Sequence, residues 1–421
     1  MDFKTLLLVT HNYPFYPGEQ FLECEVPYLA ASFKRVIVVP HVINGTPRNL
    51  PAMIELDTSL AGLLAVTIKR GTTRFLGVTT LALLRHPIKL GWGLIHGLSR
   101  QPQMLTKAFK NVYIIAVTER WFGAFLRKSG DLADGVLVYH YWTRAGILGM
   151  KLALGKDHIC VRIVSRAHGQ DLYEDLRGDR DWPFRDRVMQ SVDRVFMVSE
   201  HGMRYLVGRR PWMMAKAEVS RLGVEDGGVN VATKNPNEIV VCSCAGMVPV
   251  KRLEMLIKAL ALISEDWPQC RIIWHHLGDG PLRTELEALA SHCLHTNVKY
   301  IFHGQIPNDQ VRAFYLQYHV DVFVNTSFSE GVPVSIMEAQ SAGIPVIATA
   351  AGGTPELVNA SNGLLLALNI SSEDVAAAIS NVITEPETWV ARRLASRRTW
   401  AELSNANINY KAFVKRLKAI N

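Results

Sequence analysis

Residues 325–358 read NTSFSEGVPVSIMEAQSAGIPVIATAAGGTPELV, and the rest of the chain can be parsed from this segment. The run that feeds it, VDVFVNTS (320–327), is apolar and rich in β-formers, so Phe328–Val332 form the loop at the carboxyl end of a strand. Pro333 suits the first turn of a helix, where its missing N–H costs nothing. Gly343 suits the helix stop, and PVIATA (345–350) is the next strand. A strand, a loop, a helix and a second strand are the unit of a parallel sheet with helices on both faces.

The same alternation spreads outward through the second half. Strands are expected at EIVVCSCAG (238–246), RIIWHHLG (271–278) and VKYIFHG (298–304), with KRLEMLIKALALI, PLRTELEALASHC and NDQVRAFYLQYH as the helices between them. The first half keeps this rhythm at 4–11, 35–41, 135–142, 160–169 and 194–199, interrupted by a long helical insertion over about 55–128. The expected fold is α/β: two doubly wound, Rossmann-like domains facing a central cleft. The first would cover 1–225 and the second 236–395, joined by the polar stretch DGGVNVATKNPNE. A helical tail, 396–421, is expected to return and pack on the first domain. Open α/β sheets bind ligands beyond the carboxyl ends of their strands.

The chemistry gathers at those ends. Glu330 and Glu338 have seven residues between them; one closes the loop and the other lies about one and a half turns inside the helix. The intervening Gly331, Val332, Pro333, Val334 and Ser335 build the helix N-terminus, whose unpaired N–H groups and dipole suit a phosphate. Carboxylates flanking an anion site are suited to accept from hydroxyls. An anion between two hydroxyl-rich groups describes a nucleotide sugar. Gly352 and Gly353 allow close backbone approach, with Thr354 as N-cap, Pro355 first in the helix and Glu356 in its first turn; this is equally an ordinary strand–turn–helix corner. Lys251 and Arg252 open another helix at the same sheet edge, where cations are mildly disfavoured unless they serve a ligand. In SRAHGQDLYED (165–175), His168 ends a strand and precedes a glycine and Asp171. His275 and His276 are adjacent on a strand and face opposite ways, so they make no metal pair. No acidic pair of the DxD kind stands opposite the phosphate site.

Composition narrows the class. The chain has 421 residues, is 48% hydrophobic and 20% charged, and carries a net charge of +8. It is folded, it is long enough for two domains, and its basic excess favours an anionic partner. There is no nucleic-acid module, which leaves anionic lipid or small anions. The six cysteines occur singly without CxxC pairs, as in a reduced, cytosolic chain. The N-terminus lacks the pattern of a signal peptide. From Ala61 to Arg100 an apolar segment is interleaved with Lys69, Arg70, Arg74, Arg85 and Lys89. Its uncharged runs are too short to span a bilayer. It reads as a helix lying in a membrane interface, or as core-facing helices with solvated basic edges.

The opening segment resembles the donor-site signature of retaining glycosyltransferases of family four, which have the GT-B fold. The match lies in the E-x7-E spacing, the Gly-x-Pro after Glu330, the Ala-Gly-x-Pro-Val run and the GG-x-PE turn. SRAHGQDLYED, SRLGV (220–224), HLGDGPLRTELE (276–287), HNYPFYPGEQFLECEV (11–26) and the Trp400…Tyr410 pair are similar to further family segments, the N-terminal one to bacterial polysaccharide members. The resemblance implies that Glu338 holds the donor ribose, Glu330 and His168 the donor sugar, and Lys251 the diphosphate. It implies that Gly18 lets the diphosphate approach, that Gly278 is among the donor-binding residues, and that no metal or other cofactor is needed. Met247 stands where many members carry an arginine, and Arg252 is a substitute cation. The implied activity is transfer from a UDP- or GDP-type nucleotide sugar to a lipid-linked or polysaccharide acceptor, by a peripheral protein at the inner face of the plasma membrane. A nucleotide-sugar epimerase, a sugar phosphorylase or a non-catalytic nucleotide-sugar binder would share the fold.

Overall fold

The computed structural model of the chain describes residues 3–16, 18–69, 72–91, 102–128, 134–155, 160–174, 183–229, 235 and 237–420. These fall into two compact units. The first is Met1–Val198, Gly202–Ser220 and Lys411–Asn421; the second is Ser199–His201 and Arg221–Tyr410. Against the expected 1–225, 236–395 and 396–421, the chain thus changes unit near 220 and returns to the first unit at Lys411. Part of the expected 226–238 join lies outside the described residues.

The first unit is a seven-stranded sheet in the order β3-β2-β1-β4-β5-β6-β7. Its strands are β1 (Thr5–Thr10), β2 (Arg35–Pro40), β3 (Ile54–Leu56), β4 (Val136–His140), β5 (Val161–Ala167), β6 (Arg194–Met197) and β7 (Ala217–Val219). All of its pairings are parallel. The helices are α1 (Leu22–Ser32), α2 (Ser59–Lys69), α3 (Thr72–Arg85), α4 (Pro102–Lys128), α5 (Gly146–Ala153), α6 (Gly169–Leu172), α7 (Arg185–Ser191) and α8 (Glu200–Arg209). Successive side chains of β1 feed opposite cores, as a pleated strand requires. Leu7 and Val9 join Leu60, Leu64 and Val112 of the helical insertion, whereas Leu6 and Leu8 join Leu22 and Leu29 of α1 and Phe413 and Leu417 of the C-terminal segment. Glu25 and Arg166 are fully buried on this second face, 3.1 Å apart, with the Arg166 guanidinium 4.1 Å from the Phe413 ring centre.

The insertion therefore covers one face of the sheet. It keeps an outer face as well: Leu84 and Ile88 are each 73% exposed, beside exposed Arg85 and Lys89. Arg70 and the side chains of Lys69 and Arg74 lie outside the described residues. Among the described residues no helix is long and apolar enough to cross a membrane.

The second unit has a six-stranded sheet in the order β10-β9-β8-β11-β12-β13, again parallel throughout. Its strands are β8 (Glu238–Cys244), β9 (Arg271–Leu277), β10 (Val298–Phe302), β11 (Val322–Asn325), β12 (Val346–Thr349) and β13 (Gly363–Leu366). Its helices are α9 (Leu253–Asp266), α10 (Arg283–Cys293), α11 (Asn308–Gln317), α12 (Val334–Ser341), α13 (Ser372–Thr384), α14 (Pro386–Thr399) and α15 (Ala406–Lys418), whose last residues belong to the first unit. Trp400 donates to the Val224 carbonyl and Tyr410 to that of Gly223, tying the α14–α15 segment to residues 222–224. Both sheets are of the doubly wound, Rossmann-like kind.

The strands stop short of the expected apolar runs, because residues such as His11, His41 and Ser327 already belong to the following loops. The short edge strands β3, β7 and β13 were not anticipated. Three residues such as AEV carry no usable alternation, and GLLL is only four residues long.

Candidate functional site

In the second sheet the chain runs outward from β8 to β9 and β10, then returns with β11 on the other side of β8. Strand order reverses between β8 and β11, so loops at their carboxyl ends diverge and leave a crevice. Lys251 sits after β8 and Glu330 after β11. Lys251 Nζ and Glu330 Oε1 are 2.5 Å apart, and Asn325 Nδ2 donates to the same oxygen at 3.4 Å.

The two loops are laced together. Arg252 adopts the left-handed conformation, φ 50°, unfavourable for a residue with a Cβ. Its guanidinium holds it there by donating to the carbonyls of Thr326 (2.6 Å), Leu368 (3.0 Å) and Ser327 (3.4 Å). Thr326 Oγ1 donates back to the Lys251 and Arg252 carbonyls, and Phe328 N–H to Val250. Arg252 thus braces the loop, and Lys251 is the cation beside Glu330. Met247 is fully buried in the apolar core with Leu253 and Leu286.

Helix α12 begins beside this pair. Pro333, expected in the first turn, is its N-cap, φ −74° and ψ 110°, and the helix begins one residue later at Val334. The N–H groups of the first turn lie before any intrahelical acceptor. Gly331, Val332, Val334 and Ser335 are all partly exposed there. Glu338 is on the same helix, 4% exposed. The helix stops at Gly343, φ 70°, in the conformation glycine adopts most readily.

The glycine pair after β12 closes the site from the next strand. A Cβ on Gly352 would lie 1.8 Å from the Glu330 carbonyl oxygen, and one on Gly353 2.5 Å from that of Gly331. Gly353 N–H donates to Gly331 O at 2.8 Å. Thr354 lies inside a 3-10 turn whose N-cap is Gly353; the N-cap expectation shifts by one because Gly353 already ends the loop. Glu356 accepts from the N–H of His201 (2.8 Å) and Glu200 (3.2 Å) and from Arg221 (2.9 Å), which anchors this corner to 199–201. Gly278, φ 140°, has the Ala245 carbonyl 1.9 Å from where a Cβ would be, so it seats the end of β9 against the β8 loop. Burial, then the charge of Glu338, pushes the Cys244 thiol well above its usual range, so it remains protonated. His275 and His276 do face opposite ways: one pairs with His303 and the other with Ser243.

In the first sheet the reversal falls between β1 and β4. The organiser there is Glu19, which the sequence reading passed over. Its buried carboxylate accepts from the N–H groups of His11 (3.0 Å), Asn12 (2.6 Å) and Tyr13 (2.6 Å) and from Trp142 Nε1 (2.5 Å). The signal available was an acidic residue directly after Gly18. Gly18 itself has φ 115° and open space beside its Cα. Asn325 was likewise missed, hidden as a polar ending to an apolar run.

His168 directly follows β5, at the N-cap of α6, and is 9% exposed. Its ring lies among Tyr141, Trp142 and Phe21, with centroids 4.7, 4.6 and 6.1 Å away. Neither ring nitrogen has a hydrogen-bond partner among the described residues. Burial, then Arg166 and Arg144, holds its pKa well below the usual range, so the ring is neutral. Asp171 fixes the backbone, accepting from His168 N–H and Thr143 N–H, each at 2.6 Å. Burial, opposed chiefly by Arg185, raises its carboxyl to about 6. No group of three or more His, Cys, Asp or Glu side chains among the described residues could hold a metal ion.

Comparison with known proteins bears on this geometry. Residues 229–398 match the family described as glycosyl transferases group 1. A sulfoquinovosyl transferase of Arabidopsis thaliana is 33% identical over 106 residues, 25% of this chain and 19% of that protein. A D-inositol 3-phosphate glycosyltransferase of Kribbella flavida is 25% identical over 279 residues, 60% of this chain and 64% of that protein. In both cases the match spans less than two thirds of the relative. Anabaena HepE in complex with UDP and glucose superposes with a TM-score of 0.66 at 16% identity, covering 99% of this chain and all of that one. HepE and this chain share the GT-B fold.

Proposed function

Residues 229–398 being a glycosyl transferases group 1 domain within a GT-B chain, we propose that the protein is a retaining glycosyltransferase. It would move a sugar from a UDP- or GDP-type nucleotide sugar to a lipid-linked or polysaccharide acceptor in bacterial surface glycan synthesis, working at the inner face of the plasma membrane. The observation that carries this reading is the Lys251–Glu330 contact of 2.5 Å at the strand-order reversal, beside the N-terminus of α12.

The roles follow from the groups. The diphosphate takes the N–H groups of 331–335 and the Lys251 ammonium, which exchanges part of its contact with Glu330 for the phosphate as leaving-group charge develops. Glu330, relieved of Lys251, accepts from donor sugar hydroxyls, and buried Glu338 accepts from the ribose hydroxyls. Neutral His168, with unpartnered ring nitrogens in an aromatic cage, suits a sugar hydroxyl, and Gly18 leaves room for the diphosphate. Retention follows if the acceptor oxygen bonds to the anomeric carbon on the face from which the phosphate departs. The bond from that carbon to the phosphate oxygen breaks, and the acceptor proton passes to that oxygen. Among the relatives, the Anabaena structure is a complex with UDP and glucose, which favours a UDP donor.

The test is nucleoside-diphosphate release from UDP-, GDP-, ADP- and dTDP-sugars, with and without detergent-extracted lipid acceptors. Release from one donor, raised by lipid and lost in Glu338→Ala, is expected. Release without an acceptor and an altered sugar configuration would mark an epimerase; donor binding without turnover would mark a non-catalytic member.

A further inference from the structure

One feature of the first unit that this site does not use is a cavity of about 920 Å³ beneath the helical insertion. We infer that this cavity takes the acyl or prenyl chain of an anionic lipid acceptor, with the lipid phosphate held at its mouth by Arg144 and Lys110. That the occupant is an acceptor rests on the glycosyl-transfer reading; the cavity itself does not.

Its walls are hydrocarbon: Leu64 and Ala65 of α2, Phe75 and Leu76 of α3, and Tyr113 and Ile114 of α4. Ligand pockets run to roughly 300–1,000 Å³, apolar with a few placed polar groups, and this one is at the large end. The polar lining is one-sided. His11, Lys110, Arg144 and Arg185 border it, and no Asp or Glu is among its described lining residues. Arg144 is kept in place by His11 Nδ1 at 3.1 Å and by the Trp142 ring at 5.1 Å. Arg185 is engaged with Glu174 at 3.6 Å; Arg144 and exposed Lys110 are the other Arg and Lys side chains of the lining. A chain of methylenes with an anionic head matches that arrangement in shape and charge.

The cavity also adjoins the His168 segment of its own unit. Thr143 lines the cavity, and its N–H donates to the Asp171 carboxylate that holds the His168 backbone. A lipid seated in the cavity would carry its head group towards His168. The insertion explains why the cavity exists: its helices cover the sheet with Leu60, Leu64 and Ala82 and stand apart enough to leave hydrocarbon-lined space between them.

The test titrates the intact protein with inorganic phosphate and with butyl, hexyl and octyl phosphate. Affinity is expected to rise with each methylene, at up to about fourfold per group if fully buried. Gly62 borders the cavity, and a Cβ there meets nothing within 4 Å; Gly62→Trp should fill the space and weaken octyl phosphate at least tenfold. Lys110→Glu should weaken octyl phosphate and leave octanol unchanged. Inorganic phosphate binding as tightly as octyl phosphate would reduce the site to a free-phosphate site and overturn the proposal. So would a chain-length series unchanged in Gly62→Trp. The wild-type series needs no variant to fold. It is also independent of donor turnover, so loss of sugar transfer with chain-length-dependent binding intact would overturn the functional reading and not the cavity.

Discussion

Gly352→Ala tests whether the glycine pair sets the loop that carries Glu330. The added Cβ would lie 1.8 Å from the Glu330 carbonyl oxygen, whereas real contacts of this kind stay above 3.0 Å. The two loops must therefore part by about 1.2 Å, the difference between those distances. Gly352 also sits at φ 54°, where an alanine costs about 1–2 kcal/mol. The displaced backbone is that of Glu330 itself and of the approach to α12, and a misplacement of about 1 Å can cost about 100-fold in rate. Diphosphate release under kcat/KM conditions should fall about 100-fold, equivalent to about 2.7 kcal/mol of barrier. The melting temperature should fall by only a few degrees. Gly208→Ala is the control, since a Cβ there meets nothing within 4 Å and the residue is helical; it should leave activity unchanged. Activity of Gly352→Ala within threefold of wild type, with the protein folded, would refute the claim that this contact positions Glu330.

Other perturbations have equally definite outcomes. Glu25→Gln leaves the fully buried Arg166 without its charge partner and should destabilise the first unit by about 3–5 kcal/mol in denaturant titrations; a loss under 1 kcal/mol would contradict a buried ion pair. Arg252→Ala removes three donors to loop carbonyls and should lower the melting temperature of the second unit; unchanged melting with weakened nucleotide binding would instead make Arg252 a ligand for the donor. In the second unit, burial holds the pKa of His276 down to about 4, against 6.5 when exposed. A depressed histidine contributes stability that is full above pH 6.5 and is lost as pH falls towards 4. Between pH 7 and pH 5 this one residue should cost about 2 kcal/mol, and His276→Gln should flatten that part of the stability–pH curve. A slope unaltered in the variant would show that His276 is not the buried neutral group.

Much of this could be read from the chain because the strands carry long apolar runs. TLLLVT and RVIVVP are buried along almost their whole length, and such runs alternating with amphipathic helices admit few topologies. The placement of Lys251 and Glu330 in loops at the carboxyl ends of strands, and of Glu338 in the helix that follows, was legible from the same alternation. What stayed hidden depended on contacts distant in sequence. Glu19 is organised by Trp142, 123 residues away. The bracing role of Arg252 is set by carbonyls 74 to 116 residues on. Glu356, at a helix start by sequence, is drawn to Arg221 and the N–H groups of 200–201 instead. The apolar segment 61–100 could be read as membrane-facing or core-facing, and its described helical residues do include both buried and exposed apolar side chains.

On the proposed function, the crevice between β8 and β11 binds a nucleoside diphosphate through Lys251, the start of α12 and Glu338. Calorimetric titration of UDP, GDP, ADP and dTDP onto the wild-type protein, Lys251→Ala and Glu338→Ala tests it most directly. One diphosphate is expected to bind in preference to the others, and each substitution to weaken it at least tenfold. Equal binding by all three proteins, or binding of none of the four diphosphates to the wild type, would contradict it.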